Sequence, residues 1–322
     1  MKITLDLSKL VEDGKLTAAE AERLKTLASH ETGSLGVNIL IGFGVISIAA
    51  GTVALLPGAA TVIAVGLLLF AVGFAIGLGN VTQWAVFGQI LLVTGALMFA
   101  GGVIGQGEGS VASMLIVTAA LALAAIAARS SLLASLAVVA LSATLGARTS
   151  YSHATYSLAI FEPTLTVALF AALALIAYWG SLRLMSDYER IAIMVARTSV
   201  VLVNFGFWVG SLWGDPLFLL RGFKEHNPAQ MMNSIVIQPY IFSIAWALAL
   251  IGAAMWAVAV NRRWLVNVAA AFGAIHFYTQ WFERLGATPL SVLLGGVLML
   301  VIAYGLWVFN RKMAAIGSSA ET

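Results

Sequence analysis

The sequence predicts an all-α protein: a polytopic bundle of about ten transmembrane helices, preceded by a short helical hairpin. Three observations carry this. Residues 35–309 form a succession of apolar runs about as long as a bilayer crossing, and the charges fall almost wholly between them. Hydrophobic residues make up 61% of the chain and charged residues 10%, so a soluble fold would have too little polar surface to present to water. A crossing takes about 20 apolar residues at roughly 1.5 Å rise each, and ten such stretches with short loops fill most of the 322 residues. The expected organisation is a cytoplasmic hairpin over 1–34, a ten-span domain over 35–310 and a cytoplasmic tail over 311–322.

The hairpin reading starts from Leu7, Leu10 and Val11, a short apolar stripe that stops at Gly14. Thr17 and Glu20 have the spacing of a capping box, in which hydroxyl and carboxylate satisfy each other's free backbone N–H. Leu24, Leu27 and Ala28 give the second helix an apolar face at helical spacing. Gly33 and Ser34 are expected to form a hinge into the membrane. The spans then follow at 35–56, 59–78, 84–104, 111–128, 131–147, 164–184, 191–213, 240–260, 264–282 and 288–309. Residues 148–163 read as a polar loop. Residues 214–239 read either as a plain connection or as an amphipathic helix on the membrane surface.

Lys and Arg in the flanks set the orientation. With the N-terminus inside, Lys2, Lys9, Lys15, Arg23, Lys25, Arg129, Arg183, Arg190, Arg262, Arg263, Arg311 and Lys312 are cytoplasmic. Only Arg148, Arg221, Lys224 and Arg284 are outside. Twelve against four predicts both termini in the cytoplasm. Trp256 and Trp264 fall at the inner interface as part of an aromatic belt.

Composition also excludes chemistry. With no cysteine, disulfides, thiolate catalysis, iron–sulfur clusters and cysteine-ligated zinc are impossible. The basic balance belongs to membrane anchors, and no nucleic-acid surface is expected. No carboxylate and no lysine falls mid-span, which disfavours a retinal Schiff base and a proton-coupled antiporter. The GQGEG at Gly105–Gly109 joins two spans, not a strand and a helix, and is no nucleotide site. No catalytic residue, metal site or cofactor is predicted.

Glycines recur every seven residues at Gly88, Gly95, Gly102 and Gly109, and at spacing four at Gly101, Gly105 and Gly109. Gly206, Gly210 and Gly214, and Gly73 and Gly77, repeat the spacing of four. Lipid provides no hydrophobic drive between helices, so such rows mark close backbone packing; a hinge or a groove for a lipid tail is the functional alternative. Arg197, about two turns into the seventh span, either snorkels to the interface or forms a buried cation with Asn204, seven residues on along the same face. His276, Gln280 and Glu283 share a face of the ninth span, with Tyr278 nearby, and Glu162 or Asp215 could join them. They predict an outward-facing polar recess that binds a ligand, or a histidine bonding its neighbour helix.

Several segments resemble a known family. LVEDGKLTAAEAERLKTL at residues 10–27, GGVIGQ at 101–106, AARSSLLASLA at 127–137 and the closing helix pair from His276 to Met313 are similar to the bacterial membrane proteins grouped as domain of unknown function number 2157. The resemblance implies a bacterial inner-membrane protein and brings no activity with it. Three functional readings follow. The first is a transporter or a handler of lipid or another apolar ligand, with membrane lipid as its partner. The second is a sensor or scaffold whose N-terminal hairpin contacts a protein. The third is a lipid-modifying enzyme with its site on the outer face.

Overall fold

The computed structural model describes residues 7–12, 14–79, 84–152, 155–217 and 236–319. It is helical apart from one small hairpin. Helix α1 spans Leu7–Glu12 and α2 spans Ala18–Leu55. Between them the chain turns at Gly14, whose φ of +66° suits a residue without Cβ, and the Lys15 and Leu16 N–H groups donate to the Leu10 carbonyl. Thr17 caps α2: its hydroxyl oxygen accepts the Glu20 N–H, and the Glu20 carboxylate accepts the Thr17 N–H at 2.9 Å. The Thr17 backbone N–H and hydroxyl together hold the Glu20 carboxyl below the usual carboxylate range.

The expected hinge at Gly33–Ser34 is absent. Helix α2 runs unbroken through it for 38 residues. A glycine inside a helix costs only about 1 kcal/mol, and no proline enforces a break there. The stop comes at Leu56, before Pro57, where the proline ring disfavours helical geometry.

Helices α3 (Ala59–Leu78) and α4 (Ala85–Gln106) pack backbone to backbone. A Cβ on Gly66 would stand 2.5 Å from the Phe99 nitrogen, and one on Gly73 would stand 2.7 Å from the Gly88 carbonyl oxygen. A Cβ on Gly95 would strike Phe70 N and sit 2.6 Å from the Gly66 oxygen; one on Gly102 would sit 2.6 Å from Ile63. Gly88, Gly95 and Gly102 of the row of seven therefore lie in this seam; Gly109, past the end of α4 at φ +69°, faces open space and does not. The row of four does not, because space is open at Gly101, Gly105 and Gly77.

Helix α5 (Val111–Ala127) and α6 (Ser131–Thr144) pair across a tight turn at Arg129. The fifth run was expected to reach residue 147. Instead Gly146, at φ +90°, turns the chain into strand β1, Ala147–Ser152. It pairs antiparallel with β2, Thr155–Ile160, in the register Tyr151↔Tyr156 and Thr149↔Leu158. The loop reading missed this hairpin, although its Thr and Tyr content is strand-like.

Helices α7 (Pro163–Ser181), α8 (Ser186–Trp213), α9 (Pro239–Ala259), α10 (Arg263–Leu285) and α11 (Pro289–Ser319) complete the chain. Proline opens α7, α9 and α11, at the position where its missing N–H costs nothing. Helix α11 continues through most of the residues expected to form a tail. The surface-helix reading of 214–239 falls largely outside the described residues. The described ends of that segment meet in a bridge between Asp215 and Ile237.

Among the described residues, five helices, α3, α4, α7, α8 and α9, are long and apolar enough to cross a membrane. Large apolar side chains are widely exposed, among them Leu40 and Leu300 at 72% and Met255 at 70%. Exposed apolar side chains in this number suit contact with hydrocarbon. The chain forms two compact units, one of Met1–Thr144 with Ser181–Met194, the other of Leu145–Gly180 with Val195–Thr322. In the first, Asp187 binds both Arg129 (3.0 Å) and Arg190 (2.6 Å).

Candidate functional site

The second unit holds the most developed site, and a tryptophan is at its centre. Trp246 on α9 is fully buried. Its indole N–H donates to Asn204 Oδ1 at 2.9 Å, and Asn204 Nδ2 donates to the Val200 carbonyl at 2.8 Å. Asn204 is itself buried on α8. Both polar groups are thus satisfied within the protein, as burial away from water requires.

One face of Trp246 lines an apolar groove of about 290 Å³. Helix α7 contributes Ala171, Ala174, Leu175 and Tyr178; α8 contributes Ala196, Val200, Val203, Asn204 and Phe207; α9 adds Ala249, Leu250, Ala253 and Trp256; α10 adds Trp264 and Leu265. The alanines create the space, and no charged side chain lines it. Tyr178 meets Trp256 edge to face at 5.5 Å. Two guanidinium groups stand over the lining rings. Arg197 lies 5.2 Å from the Trp264 ring centre, and Arg262 lies 5.7 Å from that of Tyr178. Both arginines are exposed.

Trp246 also meets His276 on α10 edge to face, with ring centres 4.8 Å apart. His276 belongs to a second space, a recess of about 470 Å³ lined by Ser243, His276, Phe277, Gln280, Trp281 and Leu285. His276 Nδ1 and Gln280 Nε2 are buried without a hydrogen-bond partner. The Trp246–His276 ring contact thus links groove and recess. A hydrogen bond from Trp208 Nε1 to Thr279 Oγ1, at 3.1 Å, ties α8 to α10 beside them.

Four of the six predicted ligand residues fall at these spaces. His276 and Gln280 share the recess. Asn204 lines the groove, and Arg197 stands on one of its rings. Glu283 and Tyr278 are exposed and line neither; Tyr278 packs on Phe282 at 4.4 Å. Asp215 does not join the recess. It is fully buried and accepts the Thr164 N–H at 2.8 Å, capping α7, and the Leu217 N–H at 2.7 Å. Glu162 is buried one residue ahead of α7. Gly206 and Gly210 face Val167 and the Phe242 ring, at 3.0 and 2.6 Å from a would-be Cβ.

Sequence reading missed Trp246, Tyr178 and Arg262, and it assigned Trp256 and Trp264 to an interfacial belt. One signal was present: Trp246 lies near the middle of its apolar run, away from either interface. Among the described residues, no three His, Asp or Glu side chains gather as a metal site requires. The chain matches no protein-family model, no curated protein and no solved structure.

Proposed function

We propose that this chain is a ten-span protein of the bacterial inner membrane, with both termini cytoplasmic, that binds an apolar, lipid-like ligand in the groove of its second unit. The observation that carries the reading is the groove itself. Four helices wall it with aromatic and small apolar side chains, and its only polar lining groups besides the Tyr178 hydroxyl, Asn204 and the Trp246 indole, are bonded to each other. Such a space favours hydrocarbon and offers nothing to a bare ion. A lipid handler fits this better than an ion transporter, and the shortage of mid-span charge agrees.

Pairings inside each unit support the topology. Arg129 and Asp187 are both inner-side residues in the ten-span reading, and they form an ion pair. Thr164 and Asp215 are both outer-side residues, and they share a hydrogen bond. The segments similar to domain of unknown function number 2157 support the bacterial placement.

Filling the groove tests the function. In Ala253→Trp protein purified in mild detergent, co-purifying lipid measured by mass spectrometry is expected to fall well below the wild-type amount, with thermal stability little changed. Equal lipid retention in the two proteins would overturn the reading.

A further inference from the structure

The groove reading names an apolar ligand and says nothing of its head. The two arginines over the groove's rings do. We propose, resting on that reading, that the occupant is a single-chain amphiphile with an anionic head, its chain in the groove and its head held by Arg197 and Arg262.

The first argument is the state of the two arginines. Arg129 and Arg190 share the carboxylate of Asp187. Arg197 and Arg262 have no carboxylate partner among the described residues; each stands over an aromatic ring instead. A guanidinium held over a ring can still direct its N–H groups at a further partner. A planar fork of donors held in this way suits the two oxygens of a carboxylate or a phosphate.

The second argument is continuity. Trp264 and Tyr178, the rings beneath the two cations, both line the groove. A head bound at the arginines is therefore already joined to an apolar path. That path follows α8 from Ala196 to Phe207, about 16 Å at 1.5 Å per residue. No lining side chain is acidic, so nothing along the wall repels an anion.

The third argument is size. A space of about 290 Å³ is at the bottom of the roughly 300–1,000 Å³ range of ligand pockets. It suits one alkyl chain, not the pair carried by a bilayer phospholipid. Fatty carboxylates and alkyl phosphates share the required chemistry.

The test uses the full chain in detergent and reads quenching of tryptophan fluorescence by brominated probes. Trp246, Trp256 and Trp264 line the groove, so an occupant quenches them saturably, whereas lipid-facing tryptophans respond in proportion to probe added. The probes are dibromostearate, a brominated hexadecyl phosphate and dibromostearyl alcohol as the neutral control. Saturable quenching is expected from at least one anionic probe, and which one answers identifies the head group. The Arg197→Gln, Arg262→Gln double variant should weaken that probe by about tenfold, one decade of Kd, and leave the alcohol unchanged. The paired Lys variant should keep most of the affinity. If the alcohol binds as tightly as both anions and the Gln variant changes nothing, the head assignment is overturned and the groove reading survives. If no probe gives a saturable component, or Ala253→Trp leaves it intact, the groove reading falls as well.

Discussion

At the scale of single residues, the bond between Trp246 and Asn204 joins two buried polar groups in the second unit. Each partner is buried, so removing one leaves the other unsatisfied, which costs about 1–3 kcal/mol. The direct coupling of such pairs in membrane proteins is smaller, about 0.6 kcal/mol on average. The orphan penalty should therefore dominate a mutant cycle. Asn204→Leu and Trp246→Phe are each expected to lower stability in detergent unfolding, and the double variant to cost less than their sum. Additive losses would mean that the bond contributes nothing. Half of this site was legible beforehand. His276 and Gln280 were paired through their spacing of four, and Asn204 was singled out with Arg197 through their spacing of seven on one face. Glu283 was placed on that face of α10 by the same spacing, but it is exposed and does not line the recess, although Trp281 and Leu285 on either side of it do. For Trp246 the sequence held one hint, its place in the apolar run away from either interface, but not its role, because the partner of its N–H is on another helix.

At the scale of elements, the α3–α4 seam separates two kinds of glycine on the same helix. Gly95 faces the backbone of Phe70 and Gly66, which cannot swing aside as a flexible side chain would. Gly101 faces open space. Gly95→Ala should lower the midpoint of thermal unfolding, overpacking of this kind costing about 1–3 kcal/mol. Gly101→Ala should leave it unchanged or raise it, since alanine is the better helix former by about 1 kcal/mol. Similar losses at both positions would sink the seam assignment. The row Gly88, Gly95 and Gly102 could be read from its period. Its partner row, Gly66 and Gly73, has the same period of seven. It was hidden because Gly73 also sits four residues from Gly77 and was grouped with it. A row on one helix has meaning only against the row that faces it, and pairing between helices is not written in local spacing. The Thr17–Glu20 cap, complete within four residues, was fully legible for the same reason.

At the scale of the whole molecule, the proposed ten crossings are most strained at the two shortest of the proposed spans, α5 and α6. Helix α5 has 17 residues and α6 has 14, so they span about 26 and 21 Å at 1.5 Å per residue. Both fall short of a hydrocarbon core of about 30 Å. A single long span through both is not available, because the chain reverses at Arg129 and the two helices pack side by side. Local thinning of the bilayer and snorkelling at the turn can absorb such a deficit at modest cost. Arg129 is suited to that role, since it binds Asp187 at the first turn of α8. Two crossings at α5 and α6 place Arg129 and Asp187 on the inner side and the β1–β2 hairpin outside. If α5 and α6 instead dipped in from the outer face and returned, Arg129 would lie within the membrane. The absence of native cysteine allows a direct test with single-cysteine variants and an impermeant maleimide applied to intact spheroplasts. Thr155→Cys should label from outside. Ser130→Cys, Ser186→Cys and Ser319→Cys should label only after the membrane is opened. External labelling at Ser319→Cys would overturn the assignment of the C-terminus. Failure of Ser130→Cys to label even in opened membranes would favour the re-entrant pair, because a thiol at mid-depth is shielded from an aqueous reagent on both sides.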